Sequence, residues 1–519
     1  MKTYVKLLPL FLFFLAIYFF SNVGLQNSVD SPQYRLTQSI VDNHSYSLNG
    51  DDELVWPDVI YQGNKVYSGR TPGESFLAIP FYYFSKVANK YHPLSLPYNG
   101  QHEGIVVESG IEASTIMFNS FLGALSVLMI FIVSRVLFSN FNASYIVAIL
   151  YGLGTLSWKY SSTFYRHSPH IFFLLISIYF LIKLFRNPNN LLNFILLSIS
   201  LGFSALIDPT SILFSLTCVT LVLVKILTEK IDVFKAFNHL FIFGLIFLLT
   251  NIPTFFYNQT LFKSAFSSAW SKQARNTWLS DRSVAFSKPF IPSFITNFFS
   301  PNQPIKLNVF SPYIINNSRV AEEQGLFYAS TYKYKGIFFQ SPYLFLIFLS
   351  FFLMKNKKVW LLIFSLAVIS CVMQFPYLVF YSPNSYDTRF FLPATAILSL
   401  LVTPFFVYIF SKPVKTNLFL FILVVPIILI SFFQSWVSNV ENYAPHITGE
   451  KRVLVSDLFV SPNLPRLFFE TFPNIYNFKI FFIYSLIFVG FGFLSIYLFN
   501  RFYQKRKIIF HIHRYFYDS

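Results

Sequence analysis

Asp30 stands in the stretch NSVDSPQYRLTQSI, an acid followed by Ser-Pro a few residues beyond a strongly apolar run. A carboxylate there is a candidate general base, able to draw the proton from an attacking hydroxyl. The bland reading is a helix cap: Asp before Ser-Pro is a favoured start for the short helix that PQYRLTQSIVDN predicts. Candidate cations follow. YQGNKVYSGRTPGESFLAIP places Lys65 and Arg70 around a turn rich in Gly and Pro, ahead of an apolar helical stretch. Such a turn and helix N-terminus can hold a phosphate through backbone N–H groups and a nearby cation, while a hairpin with solvated charges is the alternative. FYRHSPHIFF carries Arg166, His167 and His170. The two histidines are spaced to share a helix face, but two make a weak metal claim, and hydrogen bonding to anionic headgroups suits them better. In LIDPTS, Asp208 reads by default as a cap for the next helix. In FYSPNSYDTRFFLPA, Arg389 either pairs with Asp387 or binds phosphate. Lys333 and Lys335, among Tyr328, Tyr332 and Tyr334, fit an interfacial anchor.

One early acid and several later cations suit a particular task. A sugar carried on a lipid phosphate has an anionic leaving group that needs cations and little proton donation, whereas the attacking hydroxyl needs a base. On that reading Asp30 is the base, Arg70 and Arg389 hold the donor phosphate, and Lys65 and His167 assist them.

These residues come together only if the elements carrying them end on one side of a membrane. With 54% hydrophobic and 12% charged residues, and a mean hydropathy of +0.53, the chain has the composition of a membrane protein. Its formal charge of +17 comes largely from short basic clusters between apolar runs, not from a basic stripe, so nucleic acid is not an expected partner. Cys218 and Cys371 both fall in apolar segments, which offers neither a disulfide framework nor a zinc site. The N-terminal apolar run lacks a small-residue cleavage site and reads as an uncleaved first helix.

A span needs about 20 apolar residues, and the expected fold is an all-α polytopic membrane protein of about 12 transmembrane helices. The spans are expected near 5–22, 113–137, 142–158, 168–185, 191–207, 211–228, 236–257, 337–354, 359–380, 390–410, 417–434 and 480–499. Lys2/Lys6, Arg135, Lys183/Arg186, Lys225/Lys230/Lys235, Lys355/Lys357/Lys358, Lys412/Lys415 and the basic tail 500–519 fall on alternate sides, as cytoplasmic loops should. The opposite side receives long segments 23–112, 258–336 and 435–479, within a single domain 1–519. Loops of that length predict short interfacial helices, with 74–91 one candidate. The 21% aromatic content, including 69 Phe, is what lipid-facing packing produces and is given no catalytic meaning.

The order of these motifs resembles the C-type integral-membrane glycosyltransferases, especially the family of protein O-mannosyltransferases and bacterial aminoarabinose transferases for lipid A. SVDSPQY, YSGRTPGESFLAIP, FYRHSPH, ALIDPTS, GIFFQSPYLFL and SYDTRFFLPA look like that family's stations in order, over roughly residues 5 to 410. The resemblance implies that Asp30 activates the acceptor in a single inverting displacement from a polyprenyl-phosphate sugar, and that Arg70 and Arg389 hold the phosphate. It implies a multi-pass protein of a bacterial inner membrane with both termini cytoplasmic, partnered by membrane lipids and a lipid, protein or glycan acceptor. One departure is plain: the family often has a second acid beside the first, and here Ser31 follows Asp30. A second carboxylate must come from elsewhere or be absent, so no cofactor or metal ion is expected. The rival classes are a twelve-helix secondary transporter and a surface-polysaccharide ligase or polymerase. Transporters favour matched halves and midplane charges, whereas the charges here sit at span ends and the long loops lie on one side. Ligases carry their functional loop late in the chain.

Overall fold

The computed structural model describes residues 7–22, 30–48, 59–91, 109–229, 232–267, 288–305, 332–377, 388–412 and 414–440, with Leu25 and Ala269 besides. The expected span at 480–499, the tail and Asp387 lie outside them.

Helix α1 (Leu8–Phe20) runs into the core, where Phe14 packs against Gly152 and the Tyr18 hydroxyl donates to the Gly152 carbonyl at 3.0 Å. Helix α2 (Ser31–Asp42) begins directly after Asp30, with Pro32 in its first turn. A hairpin follows, β1 (Val59–Gln62) against β2 (Lys65–Ser68), turning through Gly63, whose φ of +59° is the left-handed first position that a two-residue loop needs. Helix α3 (Gly73–Tyr91) is the interfacial candidate. Its late residues Tyr83, Phe84 and Tyr91 are exposed aromatics of the kind found at a membrane surface.

The long apolar helices come next: α4 (Ser109–Phe138), α5 (Phe141–Gly154), the short α6 (Ser157–Ser161), α7 (His167–Arg186), α8 (Leu191–Ile207), α9 (Ile212–Thr228) and α10 (Val233–Phe262). Several starts are set by side-chain caps: Asn140 accepts from the N–H of Ala143, Asn190 from Asn193 and Asp232 from Lys235. The tight link Asn187–Asn190 makes α7 and α8 antiparallel neighbours, and α4 packs against α1, α3, α5 and α7. Further on lie α11 (Phe290–Phe299), the strand pair β3 (Pro301–Ile305) and β4 (Tyr332–Lys335), then α12 (Ile337–Gln340), α13 (Leu346–Leu353), α14 (Lys357–Ile369), α15 (Leu392–Leu400), α16 (Thr403–Ser411) and α17 (Val414–Val440). Pro404 in the first turn of α16 ends α15 just before it, since proline cannot continue a helix's hydrogen-bond ladder.

Among the described residues, 5 helical stretches are by length and composition long and apolar enough to cross a membrane: Ser114–Phe138, His167–Arg186, Pro209–Thr228, Val233–Phe262 and Arg389–Ser411. The chain is therefore a multi-pass membrane protein. Among the described residues the expected spans at 5–22, 142–158, 191–207, 337–354 and 417–434 appear as shorter apolar helices, and the count of twelve is not confirmed. Proline and short polar breaks divide the apolar runs more finely than hydropathy alone anticipates.

Candidate functional site

The N-terminal ends of α2, α3, α4 and α7, the C-terminal end of α8 and the start of the Arg389–Ser411 span meet at one end of the bundle. Their polar side chains form two adjoining groups, one rich in arginine and one in carboxyls.

The basic group starts from the docking of two loops. Gly73, at the start of α3, lies so close to the end of α8 that an added Cβ would stand 2.1 Å from the Leu206 carbonyl oxygen. The Thr71 hydroxyl donates to the Ile207 carbonyl at 3.0 Å. Only glycine allows this approach, which fixes the segment carrying Arg70 against the end of α8. Asp208 caps the turn after α8, its Oδ1 accepting from the N–H (3.1 Å) and hydroxyl (2.8 Å) of Thr210. Its Oδ2 faces the Arg166 Nη2 at 3.3 Å, and Arg166 also donates to the Thr71 hydroxyl at 3.5 Å. Burial raises the Asp208 pKa, but Arg166 and the Thr210 bonds more than offset it, and the carboxyl lies below its ordinary range.

Arg389 is 6% exposed, and among the described residues its Nε and Nη1 have no hydrogen-bond partner. Its guanidinium lies 4.7 Å from the Phe390 ring centre and 5.6 Å from that of Tyr165. Arg70 and Arg166 are near enough for their charges to act on Arg389, and all three act on His167. His167 is buried, stacked on Tyr165 and edge-on to Tyr160. Arg389 is the buried cation of the group, and with Nε and Nη1 unbonded among the described residues it is costly in itself; an anion is what would satisfy it. His170 is turned to packing instead, with Nε2 2.6 Å from the Ser211 hydroxyl.

The acidic group surrounds Asp30, which is fully buried. Asp30 holds the N-cap position of α2, yet its backbone is helical (φ −91°, ψ −33°) and its side chain makes no capping hydrogen bond. Capping, the bland expectation, is therefore not what its carboxylate does. Two acids missed by the motif reading lie near enough to feel its charge. Glu74, in the first turn of α3, is fully enclosed; its Oε1 accepts from Asn119 at 3.0 Å and its Oε2 has no partner. Glu112, in the first turn of α4, accepts from the Leu25 N–H at 2.7 Å. Burial pushes both carboxyls up to about 8. Among the described residues no three His, Cys, Asp or Glu side chains converge as metal ligands.

Of the residues singled out from sequence, Arg70, His167 and Arg389 are brought together, with Asp30 in the adjoining group. Lys65 is not among the residues whose charges act on them. It sits exposed beside the hairpin turn, paired in register with Gln62, which is the solvated-charge alternative. Arg166 and Asp208 belong to the site as an ion pair that neither motif reveals by itself.

Residues of this kind define a membrane protein with an anion-receptive group beside buried carboxyls. No family model matches the chain, and no curated protein does. Among solved structures it is similar to the archaeal oligosaccharyltransferase AglB from Archaeoglobus fulgidus in complex with an inhibitory peptide and a dolichol-phosphate (12% identity, TM-score 0.43, 85% of this chain and 58% of that one). It is also similar to ArnT from Cupriavidus metallidurans, in the apo state (12% identity, TM-score 0.42, 96% and 77%) and bound to undecaprenyl phosphate (11% identity, TM-score 0.40, 96% and 72%). The chain thus spans little more than half the length of the archaeal enzyme. These neighbours are membrane glycosyltransferases, the kind of protein that the motif order resembles. At such identities and TM-scores the likeness assigns no activity, and function has to come from the side chains.

Proposed function

We propose that the protein is an inverting glycosyltransferase that moves a sugar from a polyprenyl-phosphate carrier to a hydroxyl acceptor at the non-cytoplasmic face of the membrane. The single observation that carries this reading is the unpartnered, buried guanidinium of Arg389 beside Arg70 and Arg166, next to a carboxylate that does not cap its helix. Arg389, Arg70 and Arg166 hold the donor phosphate, with His167 closing that side. Asp30 takes the proton from the acceptor hydroxyl as its oxygen bonds to the anomeric carbon. The bond from that carbon to the phosphate oxygen breaks, its electron pair stays on the phosphate, and the arginines carry the added negative charge. Attack from the side opposite the phosphate inverts the anomeric centre. The alternating basic clusters favour a cytoplasmic location for both termini, in a bacterial inner membrane. Charges gathered at helix ends count against a transporter, whose binding groups sit near the midplane.

The test uses the full chain in lipid nanodiscs with radiolabelled polyprenyl-phosphate sugar and a panel of lipid, peptide and glycan acceptors. Label should move to one acceptor class as free polyprenyl phosphate appears, and Asp30→Asn should slow transfer by about a hundredfold or more. Transfer at the wild-type rate by Asp30→Asn removes Asp30 as the base. Wild-type protein that neither transfers label nor binds polyprenyl phosphate overturns the reading.

A further inference from the structure

Glu74 lies where both halves of the site are felt. Its Oε1 lies 3.0 Å from the Asn119 amide nitrogen, whose two hydrogens are shared among Glu74 and the carbonyls of Thr163 (2.7 Å) and Tyr165 (2.8 Å). Its Oε2 is enclosed and has no hydrogen-bond partner. From the start of α2 the charge of Asp30 acts on it, and from the turn before α7 that of Arg166. The other elements packed on α3 add little charge. The end of α8 presents Asp208, which is engaged with Arg166, α10 presents the Tyr257 hydroxyl, which donates to Ser68, and α4 presents Asn119. Glu112, also on α4, responds to Asp30 and Arg35 but to no arginine of the basic group.

Building on the transferase reading, we propose that Glu74 is a positioning residue that works as a neutral carboxylic acid, keeping Asp30 ionised as the base and leaving the Arg166 charge to the donor phosphate. Two neighbouring buried carboxyls do not both ionise readily, so one of them keeps a proton. The enclosed oxygen without a donor decides which, because an ionised Oε2 would be an unsatisfied buried charge, while a protonated one is only an unmade hydrogen bond. Once ionised, Glu74 would do two harmful things: it would draw off the Arg166 charge and repel the phosphate. Burial pushes that ionisation up to about 8.

The test has two arms. Infrared titration of the full chain in nanodiscs, with no substrate, should show a protonated-carboxyl band at pH 7 that disappears around pH 8. Part of the band should be missing from Glu74→Gln, and the Glu74 part should persist in Glu112→Gln. Loss of the whole band in Glu112→Gln, or an unchanged band in Glu74→Gln, overturns the role of Glu74 alone. The Glu112→Gln spectrum carries this arm even if Glu74→Gln fails to fold. In the second arm, wild-type kcat/KM and polyprenyl phosphate binding should fall by up to about tenfold per pH unit above pH 8, as one ionisation requires. Glu74→Gln should change by less than about twofold over the same range. A folded Glu74→Gln that keeps the wild-type alkaline fall, or is inactive at pH 7, overturns the proposal. Wild-type protein that binds no polyprenyl phosphate and transfers no sugar overturns the underlying reading, whatever the infrared result.

Discussion

Arg166 and Asp208 form a partly buried ion pair at 3.3 Å between the turn before α7 and the cap after α8, and this pair ties the basic group to the backbone. Asp208 has one oxygen on Thr210 and the other on Arg166, so an asparagine there can keep the Thr210 bonds but loses the charge that pairs with Arg166. Asp208→Asn should lower unfolding stability by about 1–3 kcal/mol, the scale for losing a charged hydrogen bond, and should weaken phosphate binding as Arg166 loses its anchor. Thermal unfolding in detergent and a polyprenyl phosphate titration measure the two effects. An unchanged melting temperature would remove the pair from the site's framework.

Arg389 should behave in the opposite way. Its Nε and Nη1 make no hydrogen bonds in an enclosed setting, so the cation costs stability unless an anion is bound. Arg389→Met should therefore melt at the wild-type temperature or higher, yet bind polyprenyl phosphate at least about tenfold more weakly, the loss of one charged hydrogen bond. A variant that loses stability and keeps its affinity would make Arg389 a structural residue.

Lys65 and Arg70 are close in sequence but differ in surroundings. Lys65→Ala should leave stability within about 0.5 kcal/mol and affinity for polyprenyl phosphate unchanged, as at an exposed surface position. Arg70→Ala should weaken that affinity by about tenfold or more. Equal effects in a side-by-side titration would contradict the placement of Lys65 away from the anion group.

The two raised carboxyls set a pH dependence of folding. Glu74 and Glu112 keep their protons up to about pH 8 in the folded protein, whereas unfolded glutamate releases its proton near 4.3. Between those values the folded state binds more protons than the unfolded state, so stability falls as pH rises, by up to about 1.4 kcal/mol per unit for each group. Melting temperatures at pH 5 and pH 8 should differ in the wild type and converge in Glu74→Gln combined with Glu112→Gln. A wild type that is more stable at pH 8 would contradict the burial of these acids.

How legible the site was depends on what each residue's neighbours in sequence disclose. Arg70, His167 and Arg389 stand beside prolines and aromatics at the ends of apolar runs, where charge is expensive and so conspicuous. Glu74 stands in the first turn of a helix, where an acid normally serves the helix dipole in solvent, and nothing local reveals that Asn119 and Asp30 enclose it. Glu112 is hidden for the same reason. Asp208 was read as a cap and is one, but its second oxygen finds Arg166 only through the packing of α7 on α8. Lys65 and Arg70 lie at opposite ends of the extended segment through β2, Lys65 exposed beside the turn and Arg70 where the chain packs, a difference that nearness in sequence does not disclose. The helix pattern was visible in the hydropathy, but the division into long and short pieces was not, since breaks such as the one before Pro404 depend on single residues.

Gly73 and Thr71 rest directly on the carbonyls of Leu206 and Ile207, with no side chain between the two loops to absorb a displacement. The loop before α3 and the loop after α8 are therefore locked in length to each other. A residue inserted into either would shift Arg70 and Glu74 against Arg166 and Asp208, and only a matching change in the other could restore them. Among relatives of this chain, insertions should gather in the hairpin and spare both loops.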